Sequence, residues 1–214
     1  LALSKAPAIE MPERPNILLI TTDTQRWDTL RCMGSAFAKS PSLDRMAREG
    51  VMFTQGHTAS PVCSPARCSL LTGLHPPVHG VIENGVQPRQ DLAVFPDALQ
   101  AAGYSCIMSG KTHFGPTPSS FRFDYTLSGG RQLYETVLAE RGFEVPTTYP
   151  HPVPEDLFLD AFITTKTMQG IDEARSQRRG APFFAFCSLF SPHAPLHPPG
   201  DWGERYRLDE LPPS

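Results

Sequence analysis

The sequence has no apolar run approaching the ~18 residues of a membrane span, no block of five or six like charges and no even set of cysteines. The first absence argues against a membrane partner, and the second against a charged interaction tail. An excess of positive charge is also missing. There are 19 Lys+Arg against 22 Asp+Glu, a formal net charge of −3, whereas a general nucleic-acid binder presents a basic face. The five cysteines are scattered at 32, 63, 68, 106 and 187. They form no disulfide framework, and most read as small buried hydrophobes in a reducing compartment. Residues 1–15 show no charged segment followed by an apolar core, which points to the cytoplasm. A signal peptide already removed leaves the periplasm or secretion open.

What is present indicates a packed core. Hydrophobic residues make up 40% of the chain, and 23 prolines are about twice the usual ~5% share. Asn16-Ile17-Leu18-Leu19-Ile20-Thr21-Thr22 reads as a fully buried strand of a parallel sheet, with Asp23 at its carboxyl end. Residues 42–49 read as a helix capped by Ser40 or Ser42 and stopped by Gly50. Val51-Met52-Phe53-Thr54 reads as a second strand, with His57 just beyond it.

Pro65 to Leu71 and Phe95 to Ala102 read as helices, and Tyr104 to Met108 as a strand. Residues 115–154 read as irregular. Glu155 to about Arg178 carries a helical apolar face through Leu159, Phe162, Ile163, Ile171 and Ala174, and Pro182 to Leu189 reads as a buried strand. The stretch after Pro192 reads as loop. Strands alternating with helices predict an α/β fold with a mostly parallel sheet flanked by helices. Residues 1–13 read as a flexible segment ahead of one catalytic portion, 14–214.

Four polar clusters follow strands or open helices: Thr22-Asp23-Thr24, Cys63-Ser64-Pro65-Ala66-Arg67, Gly110-Lys111-Thr112-His113 and Ser191-Pro192-His193-Ala194-Pro195. Cys63 lies at the mouth of a helix, where backbone N–H groups favour an anion, and Arg67 follows one turn later on the same face. That suits an activated nucleophile beside a cation. It equally suits a buried cysteine and a surface arginine, and spacing alone leaves both open. Gly110-Lys111-Thr112 is not a P-loop, because Ser105 stands where its first glycine is required. His75 and His79 are four apart, but Pro76-Pro77 between them place both in a loop. Trp27 and Asp28 fit either a pocket rim or packing.

The signature Cys63-Ser64-Pro65-Ala66-Arg67, continuing Cys68-Ser69-Leu70-Leu71-Thr72-Gly73, resembles that of the type I sulfatases, within the alkaline-phosphatase-like superfamily. All four clusters fall in that family's order, over most of residues 14–200. The resemblance implies that a formylglycine-generating or sulfatase-maturating enzyme oxidises Cys63 to Cα-formylglycine. The hydrated aldehyde would attack the sulfur of a small-molecule sulfate ester.

Asp23, with Cys63, would hold a divalent cation, with Ca2+ favoured over Mg2+ or Mn2+. Arg67 would orient the hydrate, and Lys111 would neutralise the ester oxyanion. His113 would hydrogen-bond the nucleophile or ester, and His193 would serve as acid or oxyanion donor. Asn84 matches a substrate contact, although Asn84-Gly85 is equally a plain turn.

Thr24 stands where many sulfatases carry a second Asp; relatives that hydrolyse phosphonate or phosphate esters also tend to lack that Asp, so that alternative stays open. Thr112 replaces a frequent Trp. The family's later metal ligands have no counterpart before Ser214. The expectation is therefore the N-terminal portion of an enzyme, whose unpaired sheet edge favours oligomers. An inactive fragment or pseudoenzyme that only binds anions or partners is the remaining reading.

Overall fold

A computed structural model of the chain describes residues 14–89, 91–113, 125–127, 130–145, 153–196 and 198–207. Four strands form one sheet: β1 (Ile17–Thr21), β2 (Ser105–Gly110), β3 (Tyr125–Leu127) and β4 (Phe183–Ser188). The order is β1-β4-β2-β3, and every neighbouring pair is parallel. Six α-helices accompany them: α1 (Pro41–Glu49), α2 (Cys63–Thr72), α3 (Pro76–His79), α4 (Phe95–Ala101), α5 (Gly130–Glu140) and α6 (Leu159–Gln177). The expected fold class is the one observed.

The two-residue period of the strands sorts their side chains into two cores. Cys106, Met108, Phe184 and Phe186 point to one face, where Cys68 and Leu71 of α2 join them, with Val81, Leu92, Val94 and Tyr104. Ile107 and Ala185 point to the other face and meet Ala174 and Ile171 of α6. A third cluster joins Tyr134 and Leu138 of α5 to Phe162 of α6, with Val153 and Leu157. Small residues set the closest approaches. A Cβ on Gly170 would lie 2.8 Å from Ile107. Gly110 has φ +96°, and a Cβ there would overlap the Ser188 carbonyl.

Several local expectations are corrected. β1 is not fully buried, since Leu18 and Ile20 are about half exposed. α6 packs over β2 and β4, and β1 lies at the sheet edge among the described residues. Residues 51–54 form no strand, and Val51 and Phe53 are exposed, so His57 follows a loop. An apolar run supplies strand propensity, but a strand needs a neighbour for its backbone bonds. The stretch 115–154 is not wholly irregular, because β3 and α5 lie within it. A short 3-10 helix, Gly200–Arg205, follows Pro192 where loop was expected. Ser40 sits at the N-cap position of α1 but makes no cap bond. Its hydroxyl donates to the Asp44 side chain. The N-terminal segment 1–13, His151, His197 and the last seven residues lie outside the described residues.

His79 also departs from its expectation, being the last residue of α3 and fully buried. Pro76 and Pro77 occupy the first turn, where their missing N–H groups cost nothing. The Val81 N–H donates to Nδ1 at 3.1 Å. Nε2 therefore carries the proton and donates to Ser69 Oγ at 2.9 Å. Burial pushes His79 below the ordinary histidine range.

Two predictions follow from this packing. Gly110→Ala is expected to cost about 4 kcal/mol or to prevent folding, read as the urea midpoint. For His79 the folded pKa lies below the unfolded one. Its contribution is complete above the unfolded value and is lost as pH falls through the folded value. Urea midpoints taken from pH 8 downwards should fall below about pH 6.5. His79→Gln should show a shallower fall, and an unchanged slope would contradict the assignment.

Candidate functional site

The carboxyl ends of β1, β2 and β4 deliver their side chains to the N-terminus of α2. This is where an open parallel sheet gathers functional groups. Cys63 is the first residue of α2 and Arg67 lies one turn on, as expected. Asp23 follows β1, Lys111 and His113 follow β2, and Ser188 ends β4. Asp23, Arg67 and Lys111 are all buried, at 6%, 8% and 8% exposure.

These three form one charge network. Lys111 Nζ pairs with Asp23 Oδ2, and Arg67 Nη2 reaches the same oxygen at 3.3 Å. The second Arg67 amine donates to the Lys111 carbonyl at 2.8 Å and to Ser188 Oγ at 2.6 Å. Ser188 Oγ in turn donates to the Lys111 carbonyl at 2.7 Å, and its own carbonyl accepts from Lys111 N at 2.9 Å. Burial opposes ionisation of Asp23. The Lys111 hydrogen bond and charge outweigh it, with Thr24 and Arg67 adding, and hold the carboxyl below its usual range.

Cys63 Sγ lies 3.6 Å from Asp23 Oδ1 and 4.0 Å from Lys111 Nζ. Ligand atoms of Asp23, Cys63 and His193 lie within 4.8 Å of one another. Ser64 Oγ donates to the His113 carbonyl at 2.5 Å, which ties the β2 loop to the mouth of α2. Burial lowers the pKa of His113, and the charges of Lys111 and Arg67 add to that, so its neutral form is favoured. Asn84 reaches the same mouth, where its Oδ1 accepts from Ser64 N at 3.0 Å. Trp27 and Asp28 fall in a short 3-10 helix; Trp27 is exposed and Asp28 pairs with Arg26.

Sequence reading missed two contributors. Ser188 ends an apolar strand with no motif around it. Asp160, in the first turn of α6, accepts from Phe190 N at 2.8 Å and from Ser191 N at 3.0 Å, while the Ser191 carbonyl accepts from Asp23 N at 3.1 Å. It thereby fixes the loop that carries His193. Its only signal was an acidic residue at a helix start. Thr24 and His113 adopt left-handed backbone, φ 62° and 57°, uncommon for non-glycine residues and concentrated at functional sites. Asp160→Ala leaves two N–H groups without their acceptor. It is expected to cost about 2 kcal/mol in urea denaturation and to accelerate amide exchange at Phe190 and Ser191. Asp160→Asn should recover part of both.

Comparison with known proteins gives the family and the fold. N-acetylgalactosamine-6-sulfatase of Homo sapiens is 30% identical over 213 residues, covering 87% of this chain and 41% of its own length. The multifunctional alkaline phosphatase superfamily protein PehA of Trinickia caryophylli is 28% identical over 239 residues, with 93% and 46% covered. The crystal structure of the phosphonate monoester hydrolase of Agrobacterium radiobacter matches with a TM-score of 0.76 at 25% identity, covering 94% of this chain and 45% of that one. The chain thus spans about two-fifths of the length of the curated relatives it matches. Among the described residues no helix is long and apolar enough to cross a membrane. The sulfatase family model matches residues 15–211, and the chain belongs to the sulfatase family.

Proposed function

We propose that the complete polypeptide hydrolyses sulfate esters, with the side chain at position 63 as nucleophile. The observation that carries this reading is Cys63 at the N-terminus of α2, within reach of Asp23 and Lys111. Oxidised to Cα-formylglycine by a maturating enzyme, position 63 would supply a hydrated aldehyde, with one hydroxyl to attack sulfur and a second whose deprotonation frees sulfate. A plain thiol or serine has no second hydroxyl to drive that release and would stay trapped with the sulfuryl group bound.

The donor set fits a hard divalent cation in one respect and falls short in another. Asp23 offers a carboxylate oxygen, and replacing the Cys63 sulfur by oxygen suits the oxygen preference of Ca2+, Mg2+ or Mn2+. One carboxylate shared with Lys111 and Arg67 does not balance two further positive charges, so additional oxygen ligands belong to the complete site. Such a cation would be held by Asp23 and position 63, and it would stabilise charge on the reacting oxygens.

The chain's own residues do the rest. Lys111, once an ester occupies the site, offsets the charge of its non-bridging oxygens. Arg67, with both ends of its guanidinium bonded, holds Asp23 and the Lys111 backbone in place. Neutral His113 donates a hydrogen bond to the nucleophile or ester. His193 gives a proton to the departing alcohol oxygen as its bond to sulfur breaks. Asn84 steadies the first turn of α2 and is the nearest candidate for a polar contact to substrate.

A second reading is hydrolysis of phosphonate or phosphate monoesters by the same residues. Thr24 in place of a second acidic residue supports it, as does the likeness to the phosphonate monoester hydrolase.

One experiment separates these. The complete polypeptide from its natural host is assayed with matched aryl sulfate and aryl phosphonate esters, and the tryptic peptide Glu49–Arg67 is weighed. The expected outcome is an aldehyde in place of the thiol, a preference for sulfate, and loss of turnover in Cys63→Ala and on chelation. A phosphonate preference would favour the second reading. An unmodified Cys63 without turnover would leave an anion-binding pseudoenzyme.

A further inference from the structure

A cavity of about 700 Å³ lined in part by His193 lies between α5, the start of α6 and residues 190–196 and 198–202. Its size lies in the range of small-molecule sites, roughly 300–1,000 Å³. The walls are mostly apolar: Tyr134, Phe158, Leu159, Phe190, Leu196 and Trp202. Two residues belong to this cavity and to the charged cluster alike. His193 lines the cavity and places a ring nitrogen within 4.8 Å of the Cys63 and Asp23 ligand atoms. Phe190 lines it and carries Lys111 Nζ 5.4 Å from its ring centroid. A group bonded to an ester oxygen at the charged cluster can therefore extend past His193 and Phe190 into this cavity.

Tyr134 gives the second, independent observation. It is 4% exposed, and its hydroxyl has no hydrogen-bond partner among the described residues. A buried phenol without a partner is costly in a finished core, and a ligand oxygen would satisfy it. Burial, with the nearby Asp160 charge adding, pushes this phenol up to about 12, so at neutral pH it is a hydrogen-bond donor.

We propose that this cavity binds the alcohol part of the ester, and that the alcohol is apolar: an aromatic or compact branched group with one hydrogen-bond acceptor for Tyr134. Resting on the ester-hydrolase reading above, the inference adds the chemical class of the leaving group. A sugar alcohol fits the walls less well, because the cavity offers few polar partners for several hydroxyls. Its polar side chains besides Tyr134 and His193 are Glu155, Asp160, Thr164 and Ser191, a minority of the lining, and Asp160 already accepts from the Phe190 and Ser191 N–H groups.

The test uses the complete polypeptide and naphthol as probe, read by saturation-transfer NMR and titration, so no turnover is needed. Thr164→Trp projects bulk into the cavity from an exposed position of α6, and Tyr134→Phe removes only the hydroxyl. Naphthol should bind the unaltered protein. Its affinity should fall roughly tenfold in Thr164→Trp and a few-fold in Tyr134→Phe, and methyl glucoside should give no transfer. Absence of naphthol binding, equal affinity in Thr164→Trp, or displacement of naphthol by methyl glucoside would overturn the proposal. Naphthol binding in a protein that hydrolyses no ester would instead count against the ester-hydrolase reading alone.

Discussion

Three strand ends and one helix meet at a single buried carboxylate. Asp23 closes β1, and its Oδ2 accepts from Lys111 after β2 and from Arg67 in α2. Arg67 is then bonded to Ser188 at the end of β4. None of these charges would remain buried alone, because desolvation costs each several kcal/mol. Asp23 offsets one of the two cations it meets and leaves one surplus positive charge, and the bonds among them tie the ends of β1, β2 and β4 to α2. Removing Asp23 leaves two buried cations without their carboxylate, roughly a 3–5 kcal/mol penalty, whereas removing one cation leaves a balanced pair. The spacing of the site and the mutual placement of the three strand ends are thus joined by one ion network.

The loop from Phe190 to Leu196 divides two solvent environments. On one side are a thiol, a carboxylate and two buried cations; on the other, aromatic rings and prolines. Asp160 keeps the loop in position by accepting two of its N–H groups. An ester is itself divided in this way, with a charged head that needs fixed cations and an alcohol whose character varies. A scaffold that separates the two environments by one loop can change the second without disturbing the first.

Much of this was legible in the sequence, for identifiable reasons. Short runs such as 105–110 and 183–188, built from small, aromatic and sulfur-bearing residues, are buried on both faces and admit little besides a central parallel strand. The Cys63–Arg67 pair, Asp23, Lys111, His113 and His193 were visible because their residue types recur in a known order. Val51-Met52-Phe53-Thr54 misled because propensity says nothing about whether a partner strand is available. Leu18 and Ile20 misled because hydrophobicity along a strand does not report whether both of its faces are covered. Pro76-Pro77 suggest a loop around His79, although at the first helical turn prolines are compatible with a helix. Ser188 and Asp160 were out of reach of any linear reading, since each acts on residues far from it in the chain.

The left-handed backbone at Thr24 and His113 limits how portable this site is. Neither residue type adopts that conformation readily, so the surrounding contacts impose it: Asp23 bonded to Ser191, and the His113 carbonyl bonded to Ser64. A peptide copying residues 63–73, or a helix on another scaffold bearing the same eleven residues, would keep the signature but not its environment. The carboxylate, the lysine and both histidines arrive from elsewhere, two of them beside backbone that relaxes when released. For grafting and for directed evolution, the transferable unit is the set of strand ends rather than the motif.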